Sequence, residues 1–189
     1  MRKLVLLAHI SLDGFVAGPK GELDGFESAA ENLGFVCQLT EEADAALFGR
    51  ISYQLLDQYW PQAKDHPGAT PEEVAFSNWY NKARKIVISR TLSNQESDNT
   101  TVICEDIPAE ISKIKEEAGK DILIFGSPSV SQLLMRHELI DSYWIFINPV
   151  IFGKGIPLFA ETASRTKLTL LHTHRFANGE LALNYGLPW

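Results

Sequence analysis

Short runs of Val, Ile, Leu and Phe recur along this chain almost without polar interruption, at Leu4–His9, Ala45–Phe48, Ile86–Ser89, Ile122–Phe125 and Tyr143–Ile151. A strand with one face in water alternates apolar and polar residues, whereas a strand covered on both faces does not. These runs therefore predict buried strands. Between them lie segments with helical spacing, Glu27–Gln38, Ile51–Tyr59, Pro71–Lys82, Pro108–Ala118 and Val130–Arg136. Strands alternating with helices build a three-layer α/β fold, a mostly parallel sheet with helices on both faces. Two later runs, Leu168–His174 and Leu181–Tyr185, flank Asn178-Gly179, a dipeptide that favours tight hairpins, so an antiparallel pair is expected to close the sheet. Loops are expected at Gly18–Gly25, Gln62–Thr70 and Leu92–Thr100, which are rich in Gly, Pro or polar residues.

A length of 189 residues suits one domain, 1–189. The formal net charge of -7 includes no run of Lys or Arg able to neutralise a nucleic-acid backbone. An anionic ligand would have to be met by a few local cations and by backbone N–H groups. Cys37 and Cys104 are too few for a disulfide framework and lack zinc-ligand spacing, which fits a reducing, cytoplasmic setting and no metal. No stretch approaches the roughly 20 apolar residues that span a membrane, and Met1–Ala8 reads as a first strand rather than a leader.

Two segments have the form of a phosphate site: a buried strand, a glycine that lets the backbone come close, then a helix whose first N–H groups point back. One is Phe48-Gly49-Arg50-Ile51-Ser52, the other Phe125-Gly126-Ser127-Pro128-Ser129-Val130, with Pro128 where a first helical turn accepts it. Either alone reads as a simple turn. As a pair, with Arg50 and several hydroxyls beside them, they favour a dinucleotide. Ser89 and Arg90 end another strand with a hydroxyl and a guanidinium, suited to a ribose phosphate or to a solvated strand end. Asp13-Gly14 follows the first strand; such a dipeptide is commonly a turn, yet a carboxylate at the carboxyl end of a central strand sits where open α/β sheets bind ligands.

In this order and spacing, these segments resemble the dihydrofolate reductase superfamily, and within it the branch that contains the carboxy-terminal reductase domain of the bifunctional riboflavin-synthesis enzyme. The stretch from Leu139 to Phe159, with Asp141, Pro149, Gly153, Gly155, Leu158 and Phe159, carries the resemblance most specifically. It implies an NADPH-dependent reductase that passes a hydride to a small heterocyclic or carbonyl substrate, like 5-amino-6-(5-phosphoribosylamino)uracil reductase or dihydrofolate reductase, in a homodimer. It places Gly49, Arg50, Ile51 and Ser52 at one phosphate turn, Gly126, Ser127, Pro128, Ser129 and Val130 under the pyrophosphate, and Ser89 and Arg90 near the adenosine 2′-phosphate. Ala8, Ile10 and Val16 fall near the nicotinamide, and Asp13 matches the branch's substrate-side acid. Two departures stand out. The family's second turn commonly carries two adjacent glycines joined by a cis peptide, where this chain has Gly126-Ser127; and neither Glu27 nor Glu31 has the context of a pteridine-binding acid.

Asp13 could orient a substrate amine or hydroxyl, or relay a proton if its pocket raised its pKa. Trp60 could wall the substrate pocket or simply pack. His9 is read as a core or pocket-wall residue, and His172 with His174 as a strand-face pair without further ligands. The alternative function is a ligand-binding protein that keeps the cofactor groove without turnover. A riboflavin-pathway deaminase would also need H-x-E and P-C-x-x-C, and neither occurs.

Overall fold

The computed structural model describes residues 1–26, 30–92, 99–160 and 165–188. Its framework is an eight-stranded sheet in the order β5-β4-β3-β6-β1-β7-β10-β9. The strands are β1 (Leu4–Ser11), β3 (Ala43–Gly49), β4 (Arg84–Ile88), β5 (Thr100–Ile103), β6 (Asp121–Ile124), β7 (Ser142–Asn148), β9 (Thr169–Arg175) and β10 (Leu181–Gly186), and a separate antiparallel pair joins β2 (Phe15–Ala17) to β8 (Ile156–Pro157). The pairings from β5 across to β7 are parallel, and β10 runs antiparallel to both β7 and β9. All parallel strands therefore end at one edge. The helices are α1 (Ala30–Glu41), α2 (Arg50–Asp57), α3 (Trp60–Ala63), α4 (Pro71–Lys82), α5 (Ile107–Glu116) and α6 (Pro128–Arg136).

Each sheet face carries its own core, which explains the uninterrupted apolar runs. Leu4, Leu6 and Ile10 of β1 join Leu47, Ile86, Ile122 and Ile124 under Ile111 of α5 and Leu134 of α6. The alternate residues Val5 and Leu7 join Phe48, Leu123, Trp144 and Phe146 under Val36 of α1 and Phe76 and Tyr80 of α4. At about 25 cal/mol per Å² of apolar surface, burying side chains on both faces is the main term that holds such a sheet.

The predicted strands are present with shifted ends. Within the described residues the first helix runs Ala30–Glu41, and the expected start at Glu27 lies outside them. The run at Tyr143–Ile151 stops at Asn148, because Pro149 cannot donate to a sheet ladder. The predicted loop Leu92–Thr100 lies mostly outside the described residues, but its end, Thr100, starts the unpredicted edge strand β5, whose four residues are too few to show a period. Helix α2 closes at Asp57, and the segment Trp60–Ala63 forms a separate turn. No described helix is long and apolar enough to cross a membrane.

Candidate functional site

Strands β3 and β6 are sheet neighbours, Leu47 lying beside Ile124, and each hands the chain to a helix at the same edge. The two glycine turns consequently touch. The Gly49 N–H donates to the Gly126 carbonyl at 3.0 Å. A Cβ at Gly49 would stand 3.1 Å from Ser127 Cβ and 3.2 Å from Val130 Cγ2, and closer still to Ser127 Oγ. A Cβ at Gly126, whose φ is 97°, would meet Ser52 Oγ at 3.0 Å. Close approach, not loop flexibility, is why these positions are glycine. The Gly126-Ser127 peptide is cis despite the serine in place of a second glycine.

Both helices present open N-termini. The N-cap residues Gly49 of α2 and Ser127 of α6 make no side-chain cap, whereas α4 is closed by a capping box in which Thr70 and Glu73 exchange bonds. Unsatisfied first-turn N–H groups and the helix dipole together favour an anion. The Ser127 and Ser129 hydroxyls lie 3.0 Å apart beside this opening, with Ser129 exposed, Pro128 half-buried and Val130 turned into the core. Arg50 and Ile51 are exposed, and Arg50 Nη1 donates to Gln54 at 3.2 Å. One strand over, Ile88 pairs with Gly49, so Ser89 and Arg90 leave the sheet beside the first turn. Ser89 is buried, and its hydroxyl accepts the Thr91 and Leu92 N–H groups at 3.2 and 2.9 Å. Arg90 is exposed and makes no ion pair among the described residues.

On the other side of β6, Leu6 of β1 pairs with Ile124, so Gly126 emerges next to the part of β1 that carries Ala8, His9 and Ile10. Ile10 is buried, and Ala8 and Val16 pack against the α5–α6 core. Asp13 is exposed in the turn between β1 and β2. Its two carboxylate oxygens accept the N–H groups of Phe152 (3.0 Å) and Gly153 (2.8 Å). A hydrogen bond from the Ser11 hydroxyl, with these backbone bonds, holds its carboxyl below the usual carboxylate range. These hydrogen bonds thus keep Asp13 ionised instead of raising its pKa, and fasten the loop after β7 to the end of β1.

A polar cluster lies on the α1 side of this edge. Glu180, the residue before β10, is fully buried and takes a hydrogen bond from the Asn32 side chain of α1. His9 Nδ1 lies 3.0 Å from its other oxygen, and the His9 ring stacks on Phe146 with centroids 4.6 Å apart. The sequence did not single out Glu180 or Asn32. A glutamate after Asn-Gly looks like a solvated turn, and only the hairpin's docking against α1 buries it. Trp60 packs on Phe76, centroids 4.4 Å apart, within the α4-side aromatic cluster. His172 and His174 line a groove of about 640 Å³ between α1, α4 and β9, with Glu31, Phe35, Cys37 and Glu72. None of the predicted cofactor residues lines that groove.

The family model described as the RibD C-terminal domain matches residues 2–182. The chain belongs to that family. It is similar to the uncharacterized protein YyaP of Bacillus subtilis, 31% identical over 97% of this chain and 94% of YyaP. Among solved structures it resembles a diaminohydroxyphosphoribosylaminopyrimidine deaminase/5-amino-6-(5-phosphoribosylamino)uracil reductase from Thermotoga maritima. The TM-score is 0.67 and the identity 17%, over 99% of this chain and 57% of that one. It also resembles dihydrofolate reductase from Enterococcus faecalis, solved with NADP(H): TM-score 0.64, 14% identity, 98% of this chain and 96% of that one. At such identities the likeness speaks for the fold, which is dihydrofolate reductase-like.

Proposed function

We propose that this RibD C-terminal-type domain is a cytoplasmic, NADPH-dependent reductase of a small heterocyclic or carbonyl substrate. The observation that carries the reading is the contact between the two uncapped glycine turns. Two helix N-termini meeting at one sheet edge, with glycines that no side chain could replace without a clash, fit a pyrophosphate bridge. On this reading the N–H groups of Arg50, Ile51, Ser52, Gly126, Ser127, Ser129 and Val130 and the hydroxyls of Ser52, Ser127 and Ser129 hold the phosphates, while Gly49, whose N–H is given to the Gly126 carbonyl, and Pro128, which has no N–H, shape the two turns. Arg90, Ser89 and Arg50 meet the 2′-phosphate, and Ala8, Ile10 and Val16 shape the nicotinamide end.

Bound NADPH would supply the hydride; the chain's own residues position and exclude water. Asp13, held ionised, is suited to accept a hydrogen bond from a substrate amine or hydroxyl and unsuited to donate a proton. Trp60 contributes a wall through the aromatic cluster. The exposed Leu170 of edge strand β9 supports pairing with a second copy. The test is NADPH oxidation in the presence of 5-amino-6-(5-phosphoribosylamino)uracil and of an aromatic aldehyde. Turnover of either supports the reading. NADPH binding without turnover of any substrate tried points to the binding-protein alternative, and no NADPH binding defeats both.

A further inference from the structure

We propose that His9, held by the buried Glu180 that Asn32 in turn anchors, is the proton donor that complements hydride transfer, an inference that rests on the reductase reading above. A fully buried carboxylate is stable only when paired. Glu180 has two partners. Asn32 serves one oxygen, a bond that a neutral amide at position 180 would make equally well. The other oxygen has only His9 Nδ1, 3.0 Å away as an ion-pair contact off the line of a good hydrogen bond. Asn32 Oδ1 is a second buried acceptor without a partner. The cluster is therefore short of donors and rich in acceptors, which favours a proton on His9 Nδ1 facing Glu180. The negative charge of Glu180 has a use only toward His9.

Position makes the couple relevant to the proposed cofactor site. His9 is at the carboxyl end of β1, next to where the Gly126 turn leaves the sheet. Its side chain is 41% exposed, so with Nδ1 on Glu180 and the ring seated on Phe146, the Nε2 edge is the part left for a ligand. Around it, α1 contributes Glu31 and Asn32, the hairpin contributes Glu180, and β9 contributes His174. Glu31 is directed elsewhere, to the Ala177 N–H at 3.1 Å and to His174 at 3.9 Å. In the step itself a hydride forms the new C–H bond at the carbon of a C=O or C=N group, the π pair moves onto the heteroatom, and the Nε2 proton passes to that heteroatom. Neutral His9 then keeps its Nδ1 proton on Glu180 and regains the other from water. Buried carboxylates commonly fix an imidazole's tautomer and orientation for such a role.

The test uses the intact chain with ring-¹⁵N-labelled histidine, NADPH binding by calorimetry, and His9→Asn and Glu180→Gln variants. The wild type should show a low-field Nδ1–H signal that both variants lose, and the Nε2 signal should move when NADPH is added. NADPH affinity should stay within a few-fold in both variants, while kcat with whichever probe is turned over falls by about 10²- to 10⁴-fold in His9→Asn, the usual range for general acid catalysis. NADPH that binds without moving the His9 signal, or an unchanged kcat in both variants, overturns the proposal. Failure of NADPH to bind at all overturns the reductase reading instead. Glu180→Gln that keeps its melting temperature but loses the Nδ1–H signal and turnover excludes a merely structural clamp between α1 and the hairpin.

Discussion

Replacing Gly49 by Ala tests the contact between the two turns. Gly49 has φ -79° and ψ 162°, which suit any residue, so the backbone resists nothing and unfolded-state entropy alone favours alanine by about 0.4–1 kcal/mol. Against that, the new methyl would lie against Ser127 Oγ, 3.1 Å from Ser127 Cβ and 3.2 Å from Val130 Cγ2. Overpacking of this kind costs about 1–3 kcal/mol. The clash wins, with a net loss of about 1–2 kcal/mol, or a melting temperature lower by roughly 2–8 °C for a chain of this length. The cost should shrink once the obstructing side chain is gone: in a Ser127→Gly background, Gly49→Ala should be milder, with a coupling of about 0.5–3 kcal/mol between the two positions. Thermal unfolding of the four proteins measures this. Additive losses, or a Gly49→Ala variant as stable as the parent, would refute the claim that close approach explains the glycine.

Three other outcomes are expected. Arg90→Ala should weaken NADPH binding by roughly 10- to 150-fold, the equivalent of about 1.5–3 kcal/mol for a charge-assisted bond, and leave NADH binding unchanged; calorimetric titration of both cofactors decides, and equal losses would make Arg90 structural. Asp13 has a folded-state pKa below its unfolded value, so its hold on Phe152 and Gly153 is complete above about pH 4 and lost as pH falls through the depressed value. The amide signals of Phe152 and Gly153 should report that loss in acid, and Asp13→Asn should lower turnover far more than NADPH affinity; amide signals indifferent to acid would contradict the assignment. Thr70→Ala removes the capping box of α4 at a cost of about 0.5–2 kcal/mol, or roughly 1–8 °C, and should leave NADPH binding intact because α4 is outside the proposed site.

The sheet was legible because both of its faces are buried: Leu4 to Ile10 feed two cores in alternation, and no other fold class accounts for so many unbroken runs. The hairpin was legible because Asn178-Gly179 states its turn chemistry locally, Gly179 adopting a φ of 90°. Strand β5 was hidden because it exists through pairing with β4, not through its own four residues. The glycine turns were visible singly, but their contact depends on β3 and β6 being neighbours, although some seventy residues separate them in the chain, and no local signal carries strand order. The resemblance carried that step. Asp13 was singled out by its position, while its environment came out opposite to the one a proton relay needs, since its partners are N–H groups of a distant loop. Glu180 was illegible for the same reason: burial of a turn residue is a tertiary fact.

The most direct measurement is backbone amide NMR of the ¹⁵N-labelled protein during an NADPH titration. If one dinucleotide bridges the two turns, the amides of Gly49 to Ser52 and of Gly126, Ser127, Ser129 and Val130 should shift together along a single binding curve, with those of α4 unmoved. Saturating NADPH that shifts only one of the two turns, or neither, would contradict the shared cofactor site.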